Sequence, residues 1–196
     1  SGNRISHNNI GPLTGGGVYA VDCDLKLLDN VIAQNTGGRG AGVATQRGTV
    51  LIEGNVIQDN NGIDNHGGGL YLVSGKITLR NNLIKDNRIG LTMGYGWGGG
   101  VCLVDARADL IGNVVTGNHA ASLGSGVFVD DGSEATLQNE LYFANHCYEG
   151  GAGLLVDGLN ASVFSKATLI NVTIADHACA HGLGQGLMIL ESNVTM

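Results

Sequence analysis

The chain has 196 residues, of which 34 are glycine and one is proline, and 43% of the residues are hydrophobic. Glycine does not recur at every third position and proline is scarce, which excludes a collagen triple helix, while the hydrophobic content excludes a disordered chain. A formal net charge of -7 argues against nucleic acid as a partner, and no apolar run is long enough to form a membrane-spanning segment.

The first repeated element is a short segment with asparagine at both ends and an apolar residue at its third position. It begins at residues 3, 30, 55, 82 and 113, and degenerate copies begin at residues 140 and 172. Asparagine tolerates turn conformations, and stacked amides can hydrogen-bond from one repeat to the next. The apolar positions therefore predict one inward-facing column: Ile5, Ile32, Ile57, Ile84, Val115, Tyr142 and Ile174.

The second element is Gly-x-Gly followed by three mostly apolar residues, and it begins at residues 15, 40, 67, 98, 124, 151 and 184. In a strand, alternate side chains point to opposite faces, so the first and third apolar residues are predicted to face the core. The first of them form a second inward column: Val18, Val43, Leu70, Val101, Val127, Leu154 and Leu187.

A short alternating strand, such as Ile77 and Leu79 with their polar neighbours, lies between that unit and the next asparagine segment. Three strands in each of about seven coils of roughly 25 to 33 residues predict an all-β solenoid, a right-handed parallel β-helix whose coils stack at about 4.8 Å. We expect residues 1–196 to form a single β-helix domain. Because both ends fall partway through a repeat, we expect this domain to be part of a longer solenoid.

The combined unit resembles the repeats of secreted bacterial surface proteins, including the polymorphic outer-membrane proteins. Pectate lyases and polygalacturonases have the same superfold. The resemblance implies an extracellular or cell-surface location, but it indicates the fold far better than the function. Of the motifs that polygalacturonases carry on successive coils, this chain offers only Asp130 with Asp131 and His181 with Gly182.

Four aspartates gather after the Gly-x-Gly strand, where the repeat places Asp105 and Asp131 in one column and Asp130 and Asp157 in the neighbouring column. Stacking would bring such carboxylates to about 5 Å from one another, a spacing that suits a Ca²⁺ site or a glycosidase pair. A solvated corner in which aspartate simply favours a turn is the alternative.

The turn between residues 87 and 98 is longer than in any other coil and carries Tyr95 and Trp97. These aromatic side chains are candidates for stacking on a sugar ring or a partner. The alternative is that the loop folds its own aromatic side chains back over the coil.

Cys147 and Cys179 occupy the same position on consecutive coils, which predicts α-carbons about 5 Å apart and a disulfide bond. Cys23 and Cys102 lie in different phases of the repeat and on distant coils, so they are not expected to pair with each other. One such bond suits an oxidising compartment.

The middle residues of the strand after Gly-x-Gly are predicted to point outward. Most are large and apolar, so we expect them to form an interface with another segment of the full-length chain or with a surface partner. The interface candidates are Tyr19, Tyr71, Phe128, Leu155 and Met188.

These patterns favour a non-enzymatic β-helix module that acts as a rigid scaffold or an adhesin-type binding surface, with polysaccharide among the candidate partners. The alternative function is a polysaccharide lyase or glycoside hydrolase with an acidic groove. No Ser-His-Asp, Cys-His or phosphate-binding motif is present in the sequence, and no cofactor other than Ca²⁺ is indicated.

Overall fold

The computed structural model of the protein describes residues 1–90, 95–158, 163–182 and 184–196. These residues form 27 short strands, which pair only with parallel neighbours and are arranged in four sheets. Three of the sheets receive one strand from each of seven coils and the fourth receives one from each of six, so the chain winds around a common axis as a parallel β-helix. Among the described residues there is no helix that is long and apolar enough to cross a membrane.

The strands are numbered in chain order, and the sheets are named in the order in which a coil visits them. Sheet A contains β1 (Arg4–Ser6), β4 (Val31–Ala33), β8 (Val56–Gln58), β12 (Leu83–Lys85), β16 (Val114–Thr116), β20 (Leu141–Phe143) and β24 (Thr173–Ala175). Sheet B contains β5 (Thr36–Gly37), β9 (Asn61–Gly62), β13 (Arg88–Ile89), β17 (His119–Ala120), β21 (His146–Cys147) and β25 (Ala178–Cys179).

Sheets C and D follow after the corner that carries the Gly-x-Gly unit. Sheet C contains β2 (Val18–Val21), β6 (Val43–Gln46), β10 (Leu70–Val73), β14 (Val101–Val104), β18 (Val127–Asp130), β22 (Leu154–Asp157) and β26 (Leu187–Leu190). Sheet D contains β3 (Leu25–Leu28), β7 (Thr49–Glu53), β11 (Lys76–Arg80), β15 (Arg107–Ile111), β19 (Glu134–Gln138), β23 (Lys166–Ile170) and β27 (Asn193–Thr195).

Two ladders of buried asparagines hold the coils in register. The backbone N and the Nδ2 of Asn30 both donate to Oδ1 of Asn55, at 2.8 and 3.0 Å. The same pair of bonds joins Asn35 to Asn60 in the second ladder, at 3.0 Å each. The first ladder ends at Glu140 and the second at His177, which accepts a hydrogen bond from the backbone N of Asn145 through Nδ1. The asparagine repeat therefore supplies bonds along the axis as well as turns.

The first glycine of each Gly-x-Gly unit is required by its conformation and by its neighbours. Gly40 has a φ of +57°, and a Cβ at this position would lie 2.9 Å from the Cβ atoms of both Ala44 and Tyr71. A residue with a side chain would be strained there and would collide with the outward side chains of sheet C. This is why the unit recurs directly before each strand of that sheet.

The hydrophobic core fills the inside of the coils as continuous columns. The predicted inward columns are confirmed, and their members from the second to the sixth coil are fully buried, with Tyr142 the largest side chain among them. The three strands predicted per coil are present as sheets A, C and D. The two-residue strands of sheet B were not predicted, because two residues are too few to show an alternating pattern.

Candidate functional site

An open cleft of about 860 Å³ lies on the outer face of sheet D, next to its corner with sheet C. The inward residues of these strands, such as Ile77 and Leu79, belong to the core, so the residues between them point to solvent. The cleft crosses four consecutive coils, from Ser74 to Thr168. Its side chains therefore repeat at the spacing of the coils.

One column of the cleft is charged. In register, Lys76 pairs with Arg107, Arg107 with Glu134, and Glu134 with Lys166. Lys166 Nζ lies 2.9 Å from Glu134 Oε1, and Arg107 Nε lies 3.9 Å from Glu134 Oε2. The hydrogen bond from Lys166 lowers the pKa of the Glu134 carboxyl, and its charge and that of Arg107 act in the same direction. Glu134 is therefore an ionised carboxylate held between two cations.

The next outward column contains an aspartate and two threonines, Asp109, Thr136 and Thr168, which pair in register. All three line the cleft. The cleft thus presents hydroxyl groups and charged groups side by side across successive coils. It has the donors and acceptors that a hydroxyl-rich ligand needs.

The four aspartates of the predicted acidic corner lie where sheet C turns into sheet D. Asp105 lines the cleft, and its Oδ2 accepts a hydrogen bond of 2.8 Å from Ser74 Oγ. Asp105 and Asp131 both have a positive φ, 49° and 51°, as turn residues do. The backbone N of Asp105 donates to the carbonyl of Asp130 on the next coil, at 3.3 Å. The structure therefore places these residues on neighbouring turns.

The acidity of Asp130, at this corner, is altered by its surroundings. Burial raises its pKa to about 6, the hydrogen bond from the backbone N of Asp131 opposes this shift, and the charges of Asp131 and Asp157 add to it. Asp130, Asp131 and Asp157 do not line the cleft. Across the described ranges, no three His, Cys, Asp or Glu side chains are grouped to hold a metal ion.

The two aromatic residues of the long turn differ in exposure. Tyr95 is 62% exposed, whereas Trp97 is half-buried and its ring lies 5.1 Å from that of His66. Burial lowers the pKa of His66 to about 4, and the nearby charge of Arg39 acts in the same direction. For Trp97, the structure agrees with a loop that folds its aromatic side chain back over the coil.

The outward column of sheet C forms a second, smaller apolar cluster on the outside of the coils. Phe128 and Leu155 point away from the main core as predicted, but they are only 3% and 0% exposed. Trp97 and Leu123 pack against this cluster from the preceding corners, where they pair with each other in a short parallel bridge. The expectation that Phe128 and Leu155 form an exposed interface is therefore wrong, because the chain itself covers them.

The outward side chains of sheet C toward the two ends of this column are more exposed to solvent. Tyr71 and Met188 are half-buried against the cluster, and Tyr19, at the first coil, is 55% exposed. Of the five interface candidates, only these three have accessible surface to offer a ligand or partner.

Cys147 and Cys179 pair in register in β21 and β25. They are joined by a disulfide bond, with α-carbons 4.6 Å apart. Cys23 is free and exposed, and Cys102 is free and buried in the second apolar cluster.

The cleft was not predicted from the sequence, although a signal for it was present. The first and third residues of the alternating strand, which point outward, are charged or hydroxylated in four successive copies: Lys76 and Thr78, Arg107 and Asp109, Glu134 and Thr136, and Lys166 and Thr168.

Residues 1–118 match a family model described as right handed beta helix region. No curated protein and no solved structure matches the chain.

Proposed function

Because the chain belongs to the right-handed β-helix family, we propose that it is a non-enzymatic binding module, secreted or on a cell surface, that holds a hydroxyl-rich polymer such as a polysaccharide in the cleft of sheet D. The observation that carries this proposal is the cleft itself, which is lined by polar side chains on four consecutive coils. An adhesin-type surface on a rigid scaffold is the function that such an arrangement favours.

The dimensions of the cleft favour an extended ligand. Coils stack at about 4.8 Å, so four coils span roughly 15 Å along the axis. A polymer that lies along this axis would meet a similar set of groups at each coil. Sugar hydroxyls both donate and accept hydrogen bonds, so they can pair with the carboxylates, the threonines and the cations of the cleft.

The charges favour binding over hydrolysis. A glycoside hydrolase needs a carboxylic acid that is protonated at working pH beside a second, ionised carboxylate. Glu134 is held ionised by Lys166 and Arg107. Asp130, which has a raised pKa, does not line the cleft. The acid and the proposed ligand site are therefore separate.

The disulfide supports the proposed location. Such bonds persist in oxidising compartments, and Cys147 and Cys179 are bonded across consecutive coils. A secreted or surface-exposed module would keep this bond.

The proposal is tested by binding to immobilised polysaccharides, one acidic (polygalacturonate) and one neutral glucan. The double variant Lys76→Ala/Lys166→Ala removes two cations of the cleft and is expected to weaken binding at least about tenfold. The matched control, Lys26→Ala/Lys85→Ala, removes the other two lysines of the chain and is expected to bind as the parent does.

Equal loss in both double variants would contradict the cleft as the binding site. Release of reducing or unsaturated ends from either polymer would instead support the lyase or hydrolase alternative. Absence of binding to both polymers would overturn the proposed ligand class.

A further inference from the structure

His119 and His146 lie in register on the outer face of sheet B. They pair with each other in β17 and β21, and their strand neighbours Ala120 and Cys147 are buried. Since alternate side chains of a strand point to opposite faces, both imidazoles are on the outside of the coil. His146 is exposed and His119 is half-buried. Neighbouring strands of a sheet are about 4.8 Å apart, so the two side chains leave the backbone one coil apart.

The two imidazoles are close to each other and are not engaged by the rest of the described chain. Burial lowers the pKa of His119, and the charges of His146 and Arg88 act in the same direction, so the side chains are near enough to interact. Neither imidazole has a hydrogen-bond or ion-pair partner among the residues that the structure describes. Their ring nitrogens are therefore available to a ligand from solvent.

Small residues surround the pair and leave space for an ion. Gly117 and Ala144 precede the two histidines by two residues, and the backbone N of Gly117 donates to the carbonyl of Ala144 at 3.1 Å. These two residues are therefore also neighbours on consecutive coils. Ala178 pairs with His146 on the following coil and is exposed. No side chain longer than a methyl group extends from these three positions.

Arg88 determines on which side of His119 a cation can bind. It pairs with His119 from the preceding coil, it is exposed, and its positive charge repels another cation. On the far side of His146, the neighbour Ala178 has no charge. An ion that lies between the two histidines therefore meets two ligands and keeps its distance from the guanidinium group.

We propose that His119 and His146 bind one first-row divalent metal ion, of the Zn²⁺ or Cu²⁺ kind, through one ring nitrogen each. Imidazole suits these ions and bonds Zn²⁺ at about 2.0 to 2.1 Å. Two nitrogens on one tetrahedral ion are then about 3.3 Å apart, which the side chains reach by leaning toward each other. No third His, Cys, Asp or Glu is grouped with them in the described ranges, so water fills the remaining positions.

A bound ion joins two strands that have little pairing of their own. The strands β17 and β21 have two residues each, and the disulfide bond from Cys147 joins β21 to β25 on the next coil. His146 and Cys147 are consecutive, so the ion and the disulfide bond lie on opposite faces of sheet B. Together they link three consecutive coils. This site is separate from the cleft of sheet D and does not depend on the proposed carbohydrate ligand.

Titration calorimetry with Zn²⁺ and the imidazole NMR signals test the proposal. We expect one ion per chain at this site, with shifts in the signals of His119 and His146 but not in those of the exposed His7 and His181. An excess of Mg²⁺, which prefers oxygen ligands, should not displace the Zn²⁺. The shifts should be the same in Cys23→Ala, which lacks an exposed free thiol that can also bind Zn²⁺.

A matched pair of double variants locates the site. His119→Gln/His146→Gln removes both proposed ligands and is expected to weaken Zn²⁺ binding at least about tenfold. His7→Gln/His181→Gln removes two exposed histidines on distant coils and should bind Zn²⁺ as the parent does. Circular dichroism checks that both double variants keep the fold.

Urea unfolding provides a second measurement. Zn²⁺ should raise the urea midpoint of the parent, because an ion that binds the folded chain stabilises it, and should not raise that of His119→Gln/His146→Gln. Equal loss of Zn²⁺ affinity in the two double variants would overturn the site, as would equal shifts at all the exposed histidines. So would the absence of binding at millimolar Zn²⁺, or a midpoint that Zn²⁺ leaves unchanged in the parent.

Discussion

Glu140 occupies the ladder position at which the five preceding coils have an asparagine. It is 2% exposed, and its Oε1 accepts hydrogen bonds of 2.8 Å from both the backbone N and the Nδ2 of Asn113. Burial raises the pKa of Glu140 to about 7, although the two bonds from Asn113 oppose the shift. The carboxyl group of Glu140 thus accepts the hydrogen bonds that an asparagine amide oxygen accepts in the preceding coils. Unlike an amide, it has a charge that depends on pH.

This residue makes stability depend on pH in a defined direction. Its pKa is about 7 in the folded chain against a reference of 4.5, so the folded state binds more protons between these values. Stability is therefore lost as the pH rises from 4.5 to 7. We expect Glu140→Gln, which keeps the acceptor and cannot ionise, to be more stable than the parent by roughly 3 kcal/mol at pH 8 and by little at pH 4.

Urea unfolding of the two proteins across this range measures the difference. Other titrating groups, such as Asp130 and His66, are present in both proteins, so their contributions cancel in the difference between the two unfolding free energies. The exposed Glu149→Gln is the control, since it makes the same chemical change outside the asparagine ladder. A Glu140→Gln difference that does not change with pH would contradict the assigned pKa.

At the scale of the elements, the disulfide joins β21 and β25, strands of two residues each that share little pairing of their own. Cys147 and Cys179 close a loop with a sequence separation of 32 residues. In the chain-entropy account, a loop of this length contributes about 3 to 4 kcal/mol. We expect Cys147→Ala/Cys179→Ala to lose approximately this amount of unfolding free energy, as measured by urea denaturation.

Reduction of the parent with dithiothreitol should reproduce most of that loss. Cys23→Ala, at an exposed free cysteine, should leave both the oxidised stability and the effect of the reductant unchanged. Equal stability of the oxidised parent and the double variant would show that the bond constrains nothing.

Much of each coil could be predicted from the sequence because side-chain direction in a strand has a period of two. That period placed Val127 inside and Phe128 outside, and both directions are confirmed. It could not show that Trp97 and Leu123 fold over Phe128, since this depends on the path of the corners and not on the strand. The direction of a side chain follows from its position in the strand, whereas its exposure to solvent depends on which other parts of the chain pack over it.

The same distinction applies to the candidate sites. The repeat placed Asp105 and Asp131 correctly on neighbouring turns, because coil register follows from the asparagine ladders. It could not show that burial would raise the pKa of Asp130, nor that Ser74 would hydrogen-bond to Asp105. These depend on side-chain packing at the corner. The cleft, by contrast, could have been predicted from the outward residues of sheet D.

For the whole molecule, stability is expected to be graded along the axis. In a solenoid each coil contacts only its neighbours, so in a protein made of residues 1–196 alone the first and last coils have one neighbour instead of two. Ile84 and Val115 are fully buried, whereas Ile5 and Ile174 in the same column are only partly buried. We expect backbone amides of β12 and β16 to exchange with solvent at least about a hundredfold more slowly than those of β1 and β27.

Hydrogen exchange followed by mass spectrometry of peptides from each coil measures this gradient. The exchange rates should fall from both ends toward the middle. The two coils that the disulfide joins should exchange more slowly than their distance from the end of the chain would predict. Equal protection in all coils would show that the chain opens only as one cooperative unit.

The coils differ in length, but the bonds between them do not. The separation from Asn55 to Asn82 is 27 residues and that from Asn82 to Asn113 is 31, yet Nδ2 donates to Oδ1 at 3.1 and 2.9 Å in the two cases. The additional residues of the longer coil fall in sequence between β13 and β14, and each doubling of a loop adds only about 0.6 kcal/mol to its closure. A corner can therefore grow during evolution while the stacking on either side stays as it is. New side chains can reach the surface at any coil, and surface recognition can diverge between relatives that keep one interior.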